Sequence, residues 1–411
     1  MLGKRLHWID NLKIYLSILV VIHHCGRAYG TWSGWWFIKE ENTTSLITPF
    51  FALNAAFLMT IFFFIAAYFM PGSYDRKGQP KFGADRNKRL LFPLVFFVLV
   101  IMPVQTYFYY INFRPYEPLN YFEYIIQVYF GLGGEPAGWT GPNWPDINLG
   151  HIWFIEHLLF YGLFYVLIKE RMAKKDDGDI SDVADKLGRV SSKRESGHNS
   201  DWNVPFPENR HIILFSLLLG LITFIVRIWY PMNEWTGFLY FYQVEWGHWP
   251  HYLAFIFIGI AAYRHKWLKK ENFRKIGPIW LIIAVICIGI LIITSIAVPI
   301  NSPFLQGGFT WTSLAYSVIE VFLMMGMTIG LVYFFQKYFD KSSKSTKFLS
   351  AHSYLVYLFH QPIVVVIQYF LLSVSVHPFF KFLITIALGL PISFLVAWLI
   401  KKAVPYARKY L

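Results

Sequence analysis

Long apolar stretches separated by short polar segments run through the whole sequence. A membrane span takes about 20 mostly apolar residues, because a helix rises about 1.5 Å per residue and the hydrocarbon core is about 30 Å thick. About ten stretches fit, at residues 11–29, 47–70, 89–112, 151–168, 211–230, 250–265, 277–299, 311–335, 347–373 and 378–401. The sixth is short, and the aromatic stretch Tyr121 to Leu132 is typical of a partly inserted or interfacial helix. The pattern predicts an all-α integral membrane protein, with about ten transmembrane helices in one bundle.

The composition agrees with this pattern. The chain is 56% hydrophobic and 15% charged, whereas soluble domains carry about 25% charged residues, so the apolar excess faces lipid. The start, MLGKRLHWIDNLK, leads into an apolar run with no small-residue cleavage site, and we expect a retained first helix. Cys25 and Cys287 fall in different predicted spans at different depths. We therefore expect neither a disulfide framework nor a cysteine metal site.

Lysine and arginine concentrate in alternate polar segments. With the N-terminus inside, residues 1–13 hold three of them, and the other inner segments bring the inner total to 32 of the 37 in the chain. Those segments are 71–89, 169–210, 264–275, 337–347 and 401–411. Since positive residues are retained on the cytoplasmic side, we predict that both termini are cytoplasmic. The net charge of +13 is then a sign of topology and not of nucleic-acid binding.

Residues 169–210 are the one break in composition, being rich in Lys, Asp, Ser and Gly. We predict a solvated or disordered cytoplasmic linker between helix groups 11–168 and 211–401, within one polytopic domain that spans 1–411. No internal repeat is visible, which counts against an inverted-repeat transporter.

Tryptophan is concentrated at the predicted outer side. Two interpretations stay open: an uneven aromatic belt, or an outward-facing cleft whose rings stack on an acceptor such as a sugar. The outer tryptophans are Trp32, Trp35, Trp36, Trp139, Trp144, Trp153, Trp229, Trp235, Trp246, Trp249 and Trp311.

Lys13 and His24 share one stripe of the first predicted span. Eleven steps of about 100° return to nearly the same helix face, about 16 Å further along the axis. A cation at the cytoplasmic rim thus lines up with a histidine beyond the bilayer midplane. The alternative is two unrelated residues, with Lys13 extending to the interface. His23 is expected to pack beside His24.

Other ionisable residues lie inside the predicted spans, where each is costly and hence a functional candidate. Glu156 and Arg227 lie toward the outer ends of spans 4 and 5, and Glu320 and His360 near the middle of spans 8 and 9. They could converge on one cavity, or they could act as interhelical hydrogen-bonding residues. His157 is expected to pack beside Glu156.

We expect a loop on the inner side between spans 2 and 3, GSYDRKGQPKFGADRNKRLLFP, which contains Arg86 and Arg89. A spacing of three at a helix start puts both guanidinium groups on one face, where they can hold a phosphate. The alternative is the basic character common to inner loops.

Four stretches of the chain carry a recognisable pattern: Asp10-Asn-Leu-Lys with His23-His24, FFFIAAYFMPGSYDRKG with Asp85-Arg86, Arg89-Leu90 and Pro93, IWFIEHLL, and YLVYLFHQP. They resemble the bacterial acyltransferase-3 family, membrane enzymes that move acyl groups from coenzyme A to carbohydrate and related acceptors. The resemblance covers nearly the whole chain and is closest to stand-alone members, including those linked to succinylation of glucans. It departs from the family motif of arginine, ten residues and histidine, because Lys13 keeps the charge without the two-pronged guanidinium.

The resemblance implies a multi-pass enzyme of the cytoplasmic membrane that moves an acyl group, acetyl or succinyl, from cytoplasmic acyl-CoA to a hydroxyl of an extracytoplasmic glycan or related acceptor. Coenzyme A phosphates would bind Arg86 and Arg89, with Lys13. His24 would act as general base, or would itself be acylated.

In this scheme Glu156 orients the ring of His24, and Arg227 stabilises the oxyanion or binds the acceptor. The remaining polar residues have substrate-binding or structural roles, namely Asp10, His23, His157, Glu320, His360 and Gln361. We predict no metal, because no HExxH, P-loop, GxSxG or Cys/His metal spacing occurs. The competing functions are a proton-coupled transporter using the same His, Glu and Arg residues, and a non-catalytic sensor or partner-binding role.

Overall fold

The computed structural model describes residues 5–31, 35–141, 144–187, 204–232, 234–238, 242–297 and 307–411, with side chains left out at 173–187 and 237–238. The α-helices are α1 (His7–Gly26), α2 (Thr48–Arg86), α3 (Phe92–Phe96), α4 (Met102–Phe113), α5 (Tyr121–Tyr124), α6 (Trp153–Leu187), α7 (Asn209–Trp229), α8 (Trp249–Arg264), α9 (Lys270–Ala297), α10 (Trp311–Tyr338), α11 (Lys344–Leu371), α12 (Pro378–Ala403) and α13 (Pro405–Tyr410). Strands β1 (Trp235–Phe238) and β2 (Tyr242–Glu245) form one antiparallel hairpin.

Five short helical turns complete the set. Two are 3-10 turns, at Ser45–Ile47 and Gly150–Ile152. Three are π-helical turns, at Asn87–Leu91, Phe97–Ile101 and Ile125–Tyr129.

The protein is a helical membrane protein, as predicted. Among the described residues, seven helical stretches are long and apolar enough to cross a bilayer, judged by length and composition. One of them, Ser45–Phe113, runs for 69 residues and contains both the second and the third predicted spans. The sixth predicted span corresponds to α8, which has only 16 residues. The count of ten spans and the cytoplasmic termini stay predictions.

The predicted inner loop after span 2 is helical, which differs from the expectation of a loop. Helix α2 continues to Arg86 and is interrupted only at Gly78, whose φ of 71° and ψ of 166° are not helical. Glycine tolerates this positive φ because it lacks a Cβ. The chain therefore changes direction at Gly78 and passes directly into the π-helical turn that carries Arg89.

Two other expectations concern segments outside the spans. The predicted aromatic helix at Tyr121 is present as α5 with its π-helical turn, and Asn120 caps it through a capping box with Glu123. Helix α6 extends to Leu187, so the first part of the predicted linker 169–210 is helical, while residues 188–203 lie outside the described part of the chain.

Cys25 and Cys287 are free thiols, as expected.

Helix α1 lies between two hydrophobic cores. Its N-terminal half contributes Leu12 and Leu16 to a core shared with α2, α7, α8, α9 and α10. Its C-terminal half contributes Val21 and Cys25 to a second core, shared with α4, α11 and α12. A polar side chain near the C-terminal end of α1 is therefore held by packing on several sides.

Candidate active site

His24, near the C-terminal end of α1, is bonded to His360 in the middle of α11. Nδ1 of His24 lies 2.7 Å from Nε2 of His360, although the two residues are 336 positions apart in the chain. The structure thus brings two of the predicted site residues into direct contact, the span 1 histidine and the span 9 histidine.

The backbone around His360 fixes which nitrogens carry protons. Nδ1 of His360 lies 2.7 Å from the carbonyl oxygen of Tyr357 and 3.1 Å from that of Val356. Since a carbonyl oxygen only accepts, Nδ1 of His360 is the donor, and its Nε2 is the acceptor in the neutral ring. His24 therefore donates from Nδ1, and its own Nε2 keeps a free lone pair, with no hydrogen bond to the described part of the chain.

A third histidine, His151, completes this cluster. Its ring centre is 4.8 Å from that of His360 and 6.2 Å from that of His24. Nε2 of His151 donates to the carbonyl of Leu358 at 2.9 Å, and Nδ1 contacts the side-chain amide of Gln361. Gln361, predicted as a polar residue of the site, thus holds His151 in place.

Gly150 allows the backbone at residues 150 and 151 to come close to the side chain of Gln361. Gly150 has a φ of 52°, and a Cβ at this position would lie 2.9 Å from Oε1 of Gln361. A side chain at residue 150 is therefore disfavoured both by conformation and by space. This glycine lets the amide of His151 donate to Oε1 of Gln361 at 3.1 Å.

Trp36 covers the other side of His24. The two rings are stacked, with centres 5.4 Å apart and planes at 9°. The indole of Trp36 donates to Oε1 of Gln368 at 2.6 Å. The amide of Gln368 donates in turn to the carbonyls of His24 and Cys25, at 3.1 and 3.0 Å. Trp36 and Gln368 thus fix both the ring and the backbone of His24.

Lys13 and His24 lie on the same face of α1, because the helix is unbroken between them. Its ammonium is 4.6 Å from the centre of the Phe69 ring of α2, a cation–π contact. Asp10 is instead paired with Arg5 at 2.7 Å near the helix start. The expected alignment of Lys13 with His24 therefore holds in the backbone.

Arg86 and Arg89 contact different parts of the protein. Arg86 is the last residue of α2; it donates to the carbonyl of Leu158 at 2.8 Å and lies over Phe82. Arg89 is exposed in the π-helical turn, and Tyr354 of α11 donates to its carbonyl. A π-helical turn begins between them at Asn87, and a shared phosphate site on one face stays a prediction.

Arg227 and Glu320 form a second polar group in the other half of the molecule. Their ion pair spans 2.6 Å and is almost fully buried. Arg227 also donates to the carbonyl of Gly247 at 3.1 Å, and His248 lies 2.9 Å from the other oxygen of Glu320. Burial lowers the pKa of His248, but the carboxylates of Glu245 and Glu320 outweigh it and raise the value to about 9. The group is therefore a charge-balanced ion network.

The same group contains the set of side chains, within the described ranges, that comes nearest to a metal site. Ligand atoms of His248, His251 and Glu320 lie within 4.8 Å of one another. Both oxygens of Glu320 already bind cationic or protonated partners, so a metal ion would have to displace one of them. The geometry thus fits an ion network better than a metal centre, and the absence of a metal stays a prediction.

Glu156 and His157 lie apart from the contacts of His24. Glu156 is buried, and its carboxylate accepts a long bond of 3.4 Å from the amide of Gln243. His157 is bonded to the carbonyl of Trp153 at 3.0 Å and stacks on Tyr242. His23 packs its ring edge-on against Phe51, with centres 4.9 Å apart.

Sequence reasoning did not identify His151, Trp36 or Gln368 as parts of this cluster. Gln368 could have been found, because it lies seven residues after Gln361 and hence on the same helical stripe. His151 and Trp36 precede a helix or lie in a loop, where no periodicity ties them to His24.

Comparison with known families gives one match. The sequence model of the acyltransferase-3 family, described as an acyltransferase domain, matches residues 6–401. No curated protein and no solved structure matches the chain.

Proposed function

Since this chain belongs to the acyltransferase-3 family and is thus a membrane acyltransferase, we propose that it moves an acyl group from cytoplasmic acyl-CoA to a hydroxyl of an extracytoplasmic acceptor. The enzyme crosses the cytoplasmic membrane ten times, with both ends inside. The acyl group is acetyl or succinyl, and the acceptor is a carbohydrate or a related molecule.

The hydrogen bond between His24 and His360 carries this proposal. A general base needs a free lone pair at a fixed position, and a neutral imidazole near pH 7 supplies one. The backbone carbonyls at His360 set the tautomer of both rings, which leaves Nε2 of His24 as the base. This relay differs from the expected one, in which Glu156 orients the ring of His24. His360 takes the positioning role in our scheme.

The chemistry follows from the position of that lone pair. Nε2 of His24 takes the proton of the acceptor hydroxyl while the hydroxyl oxygen attacks the thioester carbonyl. The tetrahedral intermediate collapses, the carbon–sulfur bond breaks, and the coenzyme A sulfur takes the proton from Nε2. The acceptor leaves as an ester and His24 returns to its starting state. Acylation of His24 before transfer would use the same lone pair.

The donor enters from the inner side. Lys13 and Arg86 are partly buried cations that form no ion pair within the described ranges, and Arg89, three residues after Arg86, is exposed. Buried cations without a carboxylate are costly and favour an anionic ligand, here the phosphates of coenzyme A. From Lys13 to His24 the stripe spans about 16 Å, which suits an extended pantetheine arm.

Aromatic side chains on the outer side support a carbohydrate acceptor. Trp36 stacks on His24, Trp35 packs on Tyr109 with ring centres 5.2 Å apart, and Trp139 stacks on Tyr116 at 5.6 Å. Flat aromatic faces match the apolar faces of sugar rings. Arg227 is already held by Glu320, so we propose for it a structural role and no direct oxyanion contact.

Binding of coenzyme A distinguishes this proposal from a proton-coupled transporter. Purified protein in nanodiscs is titrated with acetyl-CoA, and the wild type is compared with Arg86→Gln and with Arg408→Gln as an exposed inner-side control. We expect binding that weakens about tenfold or more in Arg86→Gln, as for the loss of a charge-assisted hydrogen bond, and little change in the control. A folded wild type that binds no acyl-CoA would instead favour transport.

A further inference from the structure

Five lysine and arginine residues lie on the predicted outer side, against the strong preference of this chain for inner positive charge. Three of them are buried and paired with carboxylates. Arg114 binds Asp146 at 2.9 Å, Arg227 binds Glu320 at 2.6 Å, and Lys381 binds Glu40 at 2.7 Å. Lys39 is exposed to solvent. The fifth, Arg27, is the exception.

Arg27 follows the last residue of α1, three positions after His24, and is partly buried. It forms no ion pair with any described carboxylate, and the undescribed outer segments contain no Asp or Glu. Glu245, whose charge acts on it from a distance, is bound to His248 and Tyr252 at 3.1 Å each. Arg27 therefore keeps a positive charge that no carboxylate of the described chain neutralises.

The guanidinium of Arg27 borders the ring that covers His24. Its central carbon lies 5.7 Å from the centre of Trp36, the ring stacked on His24. One nitrogen donates to the carbonyl of Trp35 at 2.9 Å, and Nε is buried without a partner. A partly buried, unpaired guanidinium is costly to keep, so a function for it is the expected explanation.

We infer that Arg27 is an anion-binding residue beside the transfer site and selects a substrate that carries a carboxylate. This inference rests on the proposed acyltransferase function. The carboxylate has two sources that Arg27 would bind by the same chemistry: the far end of a dicarboxylic acyl group on the donor, or an acidic group of the acceptor.

The test compares substrates that differ only in charge. On the donor side succinyl-CoA is compared with butyryl-CoA, which has the same chain length without the carboxylate. On the acceptor side an oligosaccharide containing glucuronate is compared with its glucose counterpart. Each pair is measured with the wild type, Arg27→Gln, Arg27→Lys and the exposed control Lys39→Gln.

We expect Arg27→Gln to lower kcat/KM by about 10- to 100-fold for the charged member of one pair, mainly through KM, and by less than about threefold for its uncharged counterpart. Arg27→Lys should recover part of the loss, and Lys39→Gln should match the wild type. The affected pair identifies the source of the carboxylate.

Other outcomes separate the inference from the proposed function. A wild type that transfers no acyl group from any donor contradicts the proposed function itself. An active wild type that shows no preference for the charged member of either pair overturns the inference, even where Arg27→Gln does not fold. Equal losses for charged and uncharged substrates in a folded Arg27→Gln protein also overturn it and leave a structural role.

Discussion

Nδ1 of His24 donates to Nε2 of His360 across 2.7 Å. The proton of His360 is on Nδ1, which donates to the backbone carbonyls of α11. The pair is therefore a relay with one defined direction. Its open end is Nε2 of His24, and its closed end is the backbone of α11.

Replacing His360 tests this relay. His360→Ala removes the acceptor that fixes the tautomer of His24, so we expect kcat to fall about 10²- to 10⁴-fold, the usual contribution of a positioned acid–base group. His360→Gln offers a side-chain oxygen as acceptor and should retain more activity than His360→Ala. Steady-state kinetics with size-exclusion profiles of both variants measure this. Equal activity of the wild type and a folded His360→Ala protein would contradict the relay.

Gly150 should be sensitive to the smallest substitution. In Gly150→Ala the new Cβ would lie 2.9 Å from Gln361, at a φ that disfavours alanine, so His151 is displaced. We expect a loss of about 1–3 kcal/mol in stability together with reduced turnover. The control is Gly289→Ala in α9, where a Cβ meets nothing within 4 Å and alanine favours the helix. Thermal melting of both variants in one detergent gives the comparison, and similar melting temperatures would speak against this account of residue 150.

The Arg227–Glu320 pair is expected to be structural. Glu320→Gln leaves a buried guanidinium without its carboxylate, which costs about 3–5 kcal/mol. The double replacement Arg227→Met with Glu320→Met removes both charges and should be less destabilising than either single replacement. Melting temperatures of Glu320→Gln, of the two single methionine variants and of the double variant test this. A fully stable Glu320→Gln protein would show that the network does not stabilise the fold.

His248 makes that network sensitive to pH. Its pKa is raised to about 9 by Glu245 and Glu320, against an unfolded value of about 6.5. A raised pKa means that the folded state binds the proton more tightly, so the stabilisation is complete below about pH 6.5 and is lost as pH rises through about 9. The melting temperature of the wild type should exceed that of His248→Gln at pH 6, and the difference should shrink by pH 10. A melting-temperature difference that stays constant between pH 6 and pH 10 would contradict a protonated His248 in the folded protein.

The class of protein and the alignment of Lys13 with His24 follow from the sequence for different physical reasons. Apolar length identifies helices that cross a bilayer, and the eleven-residue spacing of Lys13 and His24 holds because α1 is unbroken. The contact between His24 and His360 could not be predicted, since it depends on how α1 packs on α11. Both are polar residues inside apolar helices, but only packing tells which polar residues meet. For the same reason the sequence favours Glu156 as the partner of His24, whereas the structure places His360 at hydrogen-bond distance from it.

Two segments show where local pattern misleads. A polar, Gly- and Pro-containing stretch such as the one around Gly78 predicts a loop, yet helix continues on both sides of the single non-helical residue. The spacing of Arg86 and Arg89 predicts a shared face for an α-helix, but the π-helical turn changes the contacts that follow. In both cases the pattern of residue types alone does not give the backbone geometry.

The most direct test of the central claim is acyl transfer by the purified protein with His24 replaced. Wild type, His24→Ala and His23→Ala are reconstituted in nanodiscs with acetyl-CoA or succinyl-CoA and a panel of extracellular glycans, and the release of free coenzyme A is followed. We predict that the wild type transfers an acyl group, that His24→Ala loses transfer while it stays folded and still binds acyl-CoA, and that His23→Ala retains it. Full activity in a folded His24→Ala protein would contradict the account.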